Sequence, residues 1–211
     1  MKEYHKIQSI FKRDDKTHKF VVGEWSLPEI NYLAHNQWEF TEKVDGTNIR
    51  VMWSPTIKLL RFGGKSDNAQ IPTSLFQRLS ELFPSEKMAV NFPSPDYDSG
   101  VCLYGEGYGA KIQKGGGNYK FNAVDFVLFD VLIGDVWLKR EAVVDISKKL
   151  GIGVVPVMGY GDIEIAINMV KAGFLSTWGN FPAEGLVLRP LVELKNRMGH
   201  RVITKLKTKD F

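Results

Sequence analysis

The feature that most constrains the fold is a nearly continuous apolar run at residues 125–133, Asp-Phe-Val-Leu-Phe-Asp-Val-Leu-Ile. A strand that is apolar on both sides has to be covered on both faces, so this run predicts a central strand of a sheet. Gly134-Asp135 then predicts a turn that returns the chain through residues 136–138. A buried sheet is therefore expected at the centre of the fold.

The rest of the chain alternates irregularly between short strands and amphipathic helices. Apolar spacing predicts helices at 73–83, 139–150 and 162–171, the last one capped by Asp162. Strands are predicted at 47–53, 57–62, 101–106, 154–158, 186–189 and 201–206, the first two forming a hairpin. Residues 1–40 indicate short strands and loops, 91–100 a loop, and the glycine-rich stretch 107–120 a mobile loop. Hairpins and helices without regular βαβ alternation predict an α+β fold, in a single domain over residues 1–211.

A lysine, a carboxylate, a glycine and an amide crowd one predicted turn, Lys43-Val44-Asp45-Gly46-Thr47-Asn48. The alternating residues Ile49, Val51 and Trp53 follow it and predict a strand. A turn that feeds a strand holds a side chain rigidly with its tip exposed, which suits a nucleophile. The alternative is a simple Asp-Gly hairpin turn beside a solvated surface lysine.

Four further patches lie on strands or at strand ends. Glu106 ends an apolar strand, Phe129-Asp130 lies in the central strand, and Glu184-Gly185 precedes an apolar strand. Lys205 and Lys207 are two residues apart, so on a strand both ammonium groups leave the same face. Each patch has an ordinary structural alternative: a turn carboxylate, a core aromatic, a polar hairpin residue, and an edge whose lysines block aggregation.

Taken in order, these patches resemble the five motifs of the covalent nucleotidyltransferase superfamily, which contains ATP-dependent DNA ligases, RNA ligases and mRNA-capping enzymes. The matching segments are Lys43-Val44-Asp45-Gly46, Tyr104-Gly105-Glu106, Phe129-Asp130, Glu184-Gly185-Leu186-Val187 and Lys205-Leu206-Lys207. The resemblance spans residues 42–207. It implies a nucleotidyltransferase (ATP-grasp-like) domain of mostly antiparallel sheets flanked by helices, with the nucleotide pocket between them.

Within the superfamily, Glu42 before the lysine and Gly46-Thr47-Asn48 after it are similar to the RNA ligase 2 and RNA-editing ligase group. DNA ligases and capping enzymes usually carry arginine where Asn48 stands, and Arg61 falls where the RNA ligase group has a phosphate-binding arginine. The resemblance thus implies an ATP-dependent RNA ligase. An ATP-dependent DNA ligase or capping-type nucleotidyltransferase is the alternative, followed by a non-catalytic nucleotide or nucleic-acid binding domain.

The resemblance also implies a reaction. The Lys43 amine attacks the α-phosphate of ATP to give lysine–AMP; AMP then passes to a 5′-phosphate end, which is sealed to a 3′-OH. Lys205 and Lys207 would disfavour the ammonium form of Lys43 and neutralise charge that develops on the phosphate. Glu184 completes the catalytic set and, like both lysines, would contact the nucleotide.

The remaining site residues are expected to bind metal or nucleotide. Carboxylates are hard oxygen ligands suited to Mg²⁺ or Mn²⁺, and the metal set is Asp45, Glu106 and Glu184. By resemblance Glu106 also holds the ribose hydroxyls, and Phe129 stacks on adenine, because strand alternation turns Phe126 to the opposite face. Glu42 would accept a hydrogen bond from the adenine amino group, which selects ATP over GTP. Asn48 and Arg61 would bind the ribose–phosphate or the 5′-phosphate end.

Composition narrows the remaining possibilities. The 211 residues are 44% hydrophobic, enough for one large core, and no apolar run reaches the length of about 18 that a membrane helix needs. A single cysteine, Cys102, and a polar N-terminus without a secretory segment indicate a reducing, cytoplasmic location. The four histidines lack metal-ligand spacing. Gly63-Gly64-Lys65-Ser66 lacks the upstream glycine of a phosphate-binding loop.

RNA is the expected partner, with DNA as the alternative. The net charge of +4 is compatible with nucleic acid. Candidates for backbone contact without sequence readout are Lys111, Lys114, Lys120, Arg197 and Arg201. The chain ends four residues after Lys207, so we expect no C-terminal accessory domain here. The alternatives are a minimal ligase, an excised catalytic domain, and an enzyme whose substrate binding relies on an accessory protein or domain.

Overall fold

The computed structural model describes residues 3–93 and 100–211. The strands, in chain order, are β1 (Gln8–Ser9), β2 (Phe11–Arg13), β3 (Phe20–Trp25), β4 (Trp38–Glu42), β5 (Thr47–Ser54), β6 (Leu59–Gly63), β7 (Val101–Gly109), β8 (Val124–Ile133), β9 (Val136–Trp137), β10 (Gly153–Val154), β11 (Val157–Gly161), β12 (Gly185–Pro190) and β13 (Thr204–Lys207). The helices are α1 (Pro28–Tyr32), α2 (Thr73–Leu82), α3 (Ser85–Asn91), α4 (Gly116–Tyr119), α5 (Arg140–Leu150) and α6 (Ile163–Ala172), and a 3-10 turn (Thr208–Asp210) follows β13.

The chain divides into two compact units. The first contains Asp45–Val155 together with the start of the chain up to Tyr4, and the second contains His5–Val44 and Pro156–Phe211. The division falls inside the Lys43-Val44-Asp45-Gly46 segment, after Val44. Two compact units can belong to one domain, so the single domain expected over residues 1–211 stays a prediction.

The first unit contains a six-stranded sheet in the order β10-β8-β7-β5-β6, with β9 paired to β8. Strand β8 is flanked by β7 and β10, so the predicted central strand is confirmed. One face of the sheet carries the alternating residues Ile49, Val51 and Trp53, all at most 1% exposed. They pack in one cluster with Leu75 and Leu79 of α2, and burying each such side chain contributes about 1.5–3 kcal/mol.

The second unit contains a five-stranded sheet in the order β1-β13-β12-β4-β11 and a separate pair, β2-β3. The pairs β13–β12, β12–β4 and β4–β11 are antiparallel. The short strand β1 runs parallel to β13. The core side of this sheet carries Trp38, Phe40 and Leu186, which cluster with Ala166 and Val170 of α6. Together the two sheets confirm an α+β fold of mostly antiparallel sheets with helices.

Several predicted elements have the expected bounds. The hairpin β5–β6 pairs Val51 with Phe62, and α2, α5 and α6 lie within one or two residues of prediction. Asp162 caps α6 by accepting a hydrogen bond from the Ile165 N–H at 3.0 Å. Gly151 ends α5 in the left-handed conformation, which a glycine adopts without strain.

Three expectations are wrong. The strand predicted at 154–158 is two strands in different sheets, β10 and β11, because Pro156 has no N–H to continue a ladder. The stretch 107–120 is not only loop: β7 runs to Gly109, and α4 buries Tyr119. Helix α3 was not predicted, and its last residue, Asn91, falls in the loop expected at 91–100. Positions 94–99 of that loop lie outside the described residues. None of the helices in residues 3–93 and 100–211 is long and apolar enough to cross a bilayer.

Candidate active site

One carboxylate bridges two lysines in the second unit. The Lys43 Nζ donates to Glu184 Oε2 at 2.6 Å, and the Lys207 Nζ donates to Glu184 Oε1 at 2.5 Å. The three side chains are 20%, 15% and 21% exposed for Lys43, Glu184 and Lys207. Such charge-assisted hydrogen bonds are the strong ones, so the ammonium group of Lys43 has a fixed position.

Strand register explains why these residues meet. Gly185 of β12 pairs with Lys207 of β13, and the Lys43 N–H donates to the Gly185 carbonyl at 2.9 Å. Gly185 has a φ of +151°, and a Cβ there would lie 2.0 Å from the Leu206 carbonyl oxygen. Only glycine therefore lets the two strands approach at this point. Three adjacent strands thus bring the motif residues into one row.

Lys205 leaves β13 on the same face as Lys207. Burial alternates along this strand, with Thr204 and Leu206 buried and both lysines partly exposed. Lys205 pairs with Val187 of β12, two residues along the strand from Gly185. The structure thus places two ammonium groups on the face of the sheet that also carries the Lys43 side chain.

Glu42 lies on the other face. It continues the core side of β4 after Trp38 and Phe40, and it is 1% exposed. Its carboxylate accepts hydrogen bonds from the Ser176 Oγ, the Thr177 N–H and the Thr177 Oγ1. In the structure, Ser176 and Thr177 donate to the Glu42 carboxylate. The expected hydrogen bond between Glu42 and adenine stays a prediction.

In the first unit, Asn48 and Glu106 are neighbours across the sheet. Asn48 of β5 pairs with Glu106 of β7, on the face opposite the core residues Ile49 and Val51. The Asn48 Oδ1 is buried and has no hydrogen-bond partner within residues 3–93 and 100–211. A buried acceptor without a partner is uncommon in folded proteins, so this position stands out from the other polar groups of the sheet. Arg61 is exposed on β6 and pairs with Met52 of β5.

A β-bulge orients Phe129. Tyr104 pairs with Asp130 and Gly105 with Leu128, so Phe129 is the extra residue of β8. It is partly exposed, while Phe126 is buried against Phe83 with ring centroids 5.3 Å apart. The rings of Tyr4 and Phe129 pack edge to face, with their centroids 5.0 Å apart. The Tyr4 hydroxyl donates a hydrogen bond to Asp130 Oδ2 at 2.5 Å.

The Asp45-Gly46 turn is held by the glycine-rich stretch that follows β7. The Asp45 N–H donates to the Tyr119 hydroxyl at 3.2 Å, and Gln113 Nε2 donates to the Gly46 carbonyl at 3.0 Å. A Cβ on Gly46 would lie 2.3 Å from the Gly107 carbonyl oxygen. The turn therefore requires glycine, and its backbone is held by Gln113 and Tyr119.

The family assignment follows from a sequence comparison. The family model described as RNA ligase matches residues 36–207. This chain belongs to the RNA ligase family. The match covers every motif residue from Glu42 to Lys207, and it confirms the predicted resemblance.

The fold is shared with solved structures of an RNA ligase from Naegleria gruberi. The complex with PPi is 21% identical, with a TM-score of 0.64 over 86% of this chain and 52% of that chain. A variant with AMP and Mn is 19% identical, with a TM-score of 0.64 over 98% and 58%. Another variant, with ATP and Mn, is 20% identical, with a TM-score of 0.65 over 99% and 62%. The chain thus spans between half and two thirds of the length of these structures. No similar sequence was found among curated proteins.

The metal set expected for this RNA ligase family member, Asp45, Glu106 and Glu184, stays a prediction. Within residues 3–93 and 100–211, no three His, Cys, Asp or Glu side chains are grouped to hold a metal ion by themselves. Mg²⁺ keeps several waters and uses one or two carboxylates plus substrate phosphates. Asp45 and Glu106 in the first unit and Glu184 in the second each carry carboxylate oxygens of the kind that Mg²⁺ binds.

The basic residues expected to contact RNA divide into two groups. Lys111, Lys114 and Arg197 are exposed. Lys120 donates to Asp125 Oδ2 at 2.5 Å, and Arg201 is 8% exposed and donates to Glu193 Oε2 at 2.9 Å. The side chains of the second group are therefore already paired within the RNA ligase fold.

Sequence reasoning missed the residues that support the motifs. These are Tyr4, Gln113, Tyr119, Ser176 and Thr177. None lies in a motif, and each reaches its partner across a long stretch of chain, 134 residues for Ser176 and Glu42. The only local signal was a polar pair, Ser176-Thr177, a few residues before Glu184.

Proposed function

We propose that this chain catalyses the adenylylation step of an ATP-dependent RNA ligase, with Lys43 as the nucleophile. The observation that carries the proposal is the pairing of Lys43 and Lys207 on the single carboxylate of Glu184. The Lys43 side chain is held by a short hydrogen bond and is only 20% exposed. A nucleophile held in one orientation in this way reacts faster than a freely moving one.

The reaction has a defined balance. The Lys43 ammonium first loses a proton to solvent. The resulting neutral amine attacks the α-phosphorus of ATP, a nitrogen–phosphorus bond forms, and the bond to the pyrophosphate oxygen breaks. The amine proton passes to solvent, and pyrophosphate leaves. Lys207 and Lys205 stabilise the negative charge that develops on the phosphate oxygens. A bound Mg²⁺ or Mn²⁺ would supply further charge neutralisation at the phosphates.

The nucleotide contacts of the proposal come from the predicted residues. Phe129 is partly exposed, and we propose that it stacks on adenine. Asn48 and Glu106 present polar groups at neighbouring positions of one sheet face, suited to ribose hydroxyls and phosphate. Solved structures of the Naegleria ligase contain ATP or AMP with Mn, which supports ATP and a divalent cation as the cofactors here.

The later steps complete the proposed function. AMP is transferred to the 5′-phosphate of an RNA end or nick, and the 3′-OH attacks that phosphate and displaces AMP. The family supports RNA over DNA as the substrate. We also propose that RNA engagement uses an accessory domain or protein.

The test is transfer of label to the protein. Wild type and Lys43→Ala are incubated with Mg²⁺ and α-labelled ATP or GTP, with Lys148→Ala as the control because Lys148 is an exposed lysine of α5. We expect label from ATP on wild type and on Lys148→Ala, and none on Lys43→Ala. Label from GTP indicates a capping-type enzyme, and no label on any variant supports binding only. Nicked RNA and nicked DNA duplexes then identify the polynucleotide.

A further inference from the structure

A buried carboxylate directly precedes the proposed nucleophile. Glu42 ends β4, is 1% exposed, and has both oxygens occupied. Oε1 accepts from the Ser176 Oγ at 2.6 Å, and Oε2 accepts from the Thr177 N–H at 2.9 Å and the Thr177 Oγ1 at 2.8 Å. A carboxylate this deeply buried is stable only when it is well hydrogen-bonded. Ser176 and Thr177 therefore fix its position.

The donors come from a closed loop that leads into Glu184. The Ser176 N–H donates to the Phe181 carbonyl at 2.9 Å, and the Ala183 N–H donates to the Phe174 carbonyl at 3.0 Å. A bridge between Leu175 and Pro182 narrows the same loop. Because Glu184 follows Ala183 directly, the loop that holds Glu42 also sets where Glu184 begins.

The Glu42 contacts determine the backbone of Lys43 from the far side of the sheet. Successive side chains of a strand leave opposite faces, so Glu42 points into the core side while Lys43 points to the face with Lys207. The Glu42 N–H donates to the Pro156 carbonyl at 3.0 Å, and the Lys43 N–H donates to the Gly185 carbonyl at 2.9 Å. These backbone bonds and the Glu42 side chain together leave Lys43 little freedom to shift.

We propose that Ser176 and Thr177 are positioning residues that hold Lys43 and Glu184 in reactive geometry through the buried carboxylate of Glu42. This inference depends on the proposed lysine adenylylation. A nucleophile has to lie within about 3–3.5 Å of the reacting atom, and a displacement of about 1 Å can lower the rate roughly 10²-fold. Two hydroxyl groups that contact the Glu42 carboxylate thereby control the rate of AMP transfer.

The experiment compares Ser176→Ala, Thr177→Val and the double variant with wild type. Ser176→Thr keeps the hydroxyl, and Ser147→Ala is the matched control, because Ser147 is a buried serine of α5 whose Oγ donates to the Val144 carbonyl at 2.8 Å. Single-turnover transfer of AMP to Lys43 is measured across ATP concentrations. We expect the double variant to lose about 10- to 10²-fold in maximal rate with half-saturating ATP little changed. Ser176→Thr and Ser147→Ala should stay near wild type.

An unchanged maximal rate in the folded double variant would overturn the inference, whether or not its half-saturating ATP concentration rises. A change in ATP-over-GTP selectivity with no other effect would also overturn it. The last result would assign Glu42 to base recognition.

Hydrogen–deuterium exchange of the Lys43 amide gives a second readout that needs no activity, and we expect faster exchange in the double variant. If wild type takes no label, the proposed function fails. The control of AMP transfer then fails with it, and exchange tests only whether Ser176 and Thr177 hold the Lys43 backbone: faster exchange supports that contact, and unchanged exchange overturns it.

Discussion

The two units treat the polar groups of the candidate site differently. In the five-stranded unit the charged residues satisfy one another, with Glu184 accepting from Lys43 and Lys207. In the six-stranded unit Asn48 has a buried oxygen without a partner in the described chain, and the ring of Phe129 is partly exposed. The first set satisfies its hydrogen bonds within the fold, whereas the second leaves a buried acceptor unsatisfied within the described residues.

The difference predicts opposite consequences of substitution. Removing one member of a paired, mostly buried set leaves the others without a partner, which destabilises the fold and also removes the chemistry. Removing a group that has an unmet hydrogen bond relieves a desolvation penalty in the ligand-free protein. The same loss of activity can therefore come with lower stability in one unit and unchanged or higher stability in the other.

Glu184→Gln should have the largest effect. The amide cannot neutralise two ammonium groups, so we expect AMP transfer to fall about 10²- to 10³-fold and the free energy of unfolding to fall by about 1–3 kcal/mol. Label transfer and urea unfolding measure the two losses. Glu164→Gln, at an exposed carboxylate in the first turn of α6, is the control for the same chemical change.

Coupling between the paired residues sharpens this test. Glu184 and Lys207 are in direct contact, so the stability losses of Glu184→Gln and Lys207→Met should not add in the double variant. Strict additivity, or near-normal AMP transfer by Glu184→Gln, would contradict the role of the pair.

Much of the fold could be predicted from the sequence, because periodicity and terminal residues are local signals. Helix α5 ends at Gly151 and α6 begins after Asp162 as predicted, and β8 is the central strand. The split of residues 154–158 could not be read from apolar spacing, which does not say which sheet a strand joins. Pro156 was the available signal, and it lies where the chain passes from one unit to the other.

The sequence indicated the motif residues of the candidate site, but it did not indicate the residues that hold them in place. Register brings Lys43, Gly185 and Lys207 together, and the motif order indicated that these segments belong to one site. Ser176 and Tyr119 act on the motif residues through single tertiary hydrogen bonds. Such contacts leave no periodic trace in the sequence, so propensity and spacing could not reveal them.

Asn48→Ala should show most clearly that substitutions in the two units differ in their effect on stability. Since the Asn48 oxygen has no partner within the described residues, we expect the free energy of unfolding to stay within about 1 kcal/mol of wild type or to rise. AMP transfer should nevertheless fall by about 10-fold, the loss of one hydrogen bond to a ligand. Urea unfolding and labelled-ATP transfer on the same preparation give both numbers. A stability loss as large as that of Glu184→Gln would remove the contrast between the units.

Asp125→Asn should have the smallest effect, and it tests whether pairing alone explains the contrast. The six-stranded unit has its own paired carboxylate, because Lys120 and Arg78 both donate to Asp125. Their side chains are 39% and 34% exposed, so solvent screens the interaction, and we expect a loss of less than about 1 kcal/mol with AMP transfer unchanged.

The pH dependence of that loss has a definite sign. Burial would raise the pKa of Asp125, but the hydrogen bonds from Lys120 and Arg78 outweigh it and hold the pKa below its ordinary 3.8. The ionised carboxylate therefore stabilises the folded state above pH 3.8, and this contribution disappears as the pH falls through the lower folded value. Unfolding curves for Asp125→Asn and wild type should differ at neutral pH and converge in acid. A difference that persists in acid would show that packing, not charge pairing, makes Asp125 stabilising, and a loss matching Glu184→Gln would mean that exposure does not weaken an ion pair here.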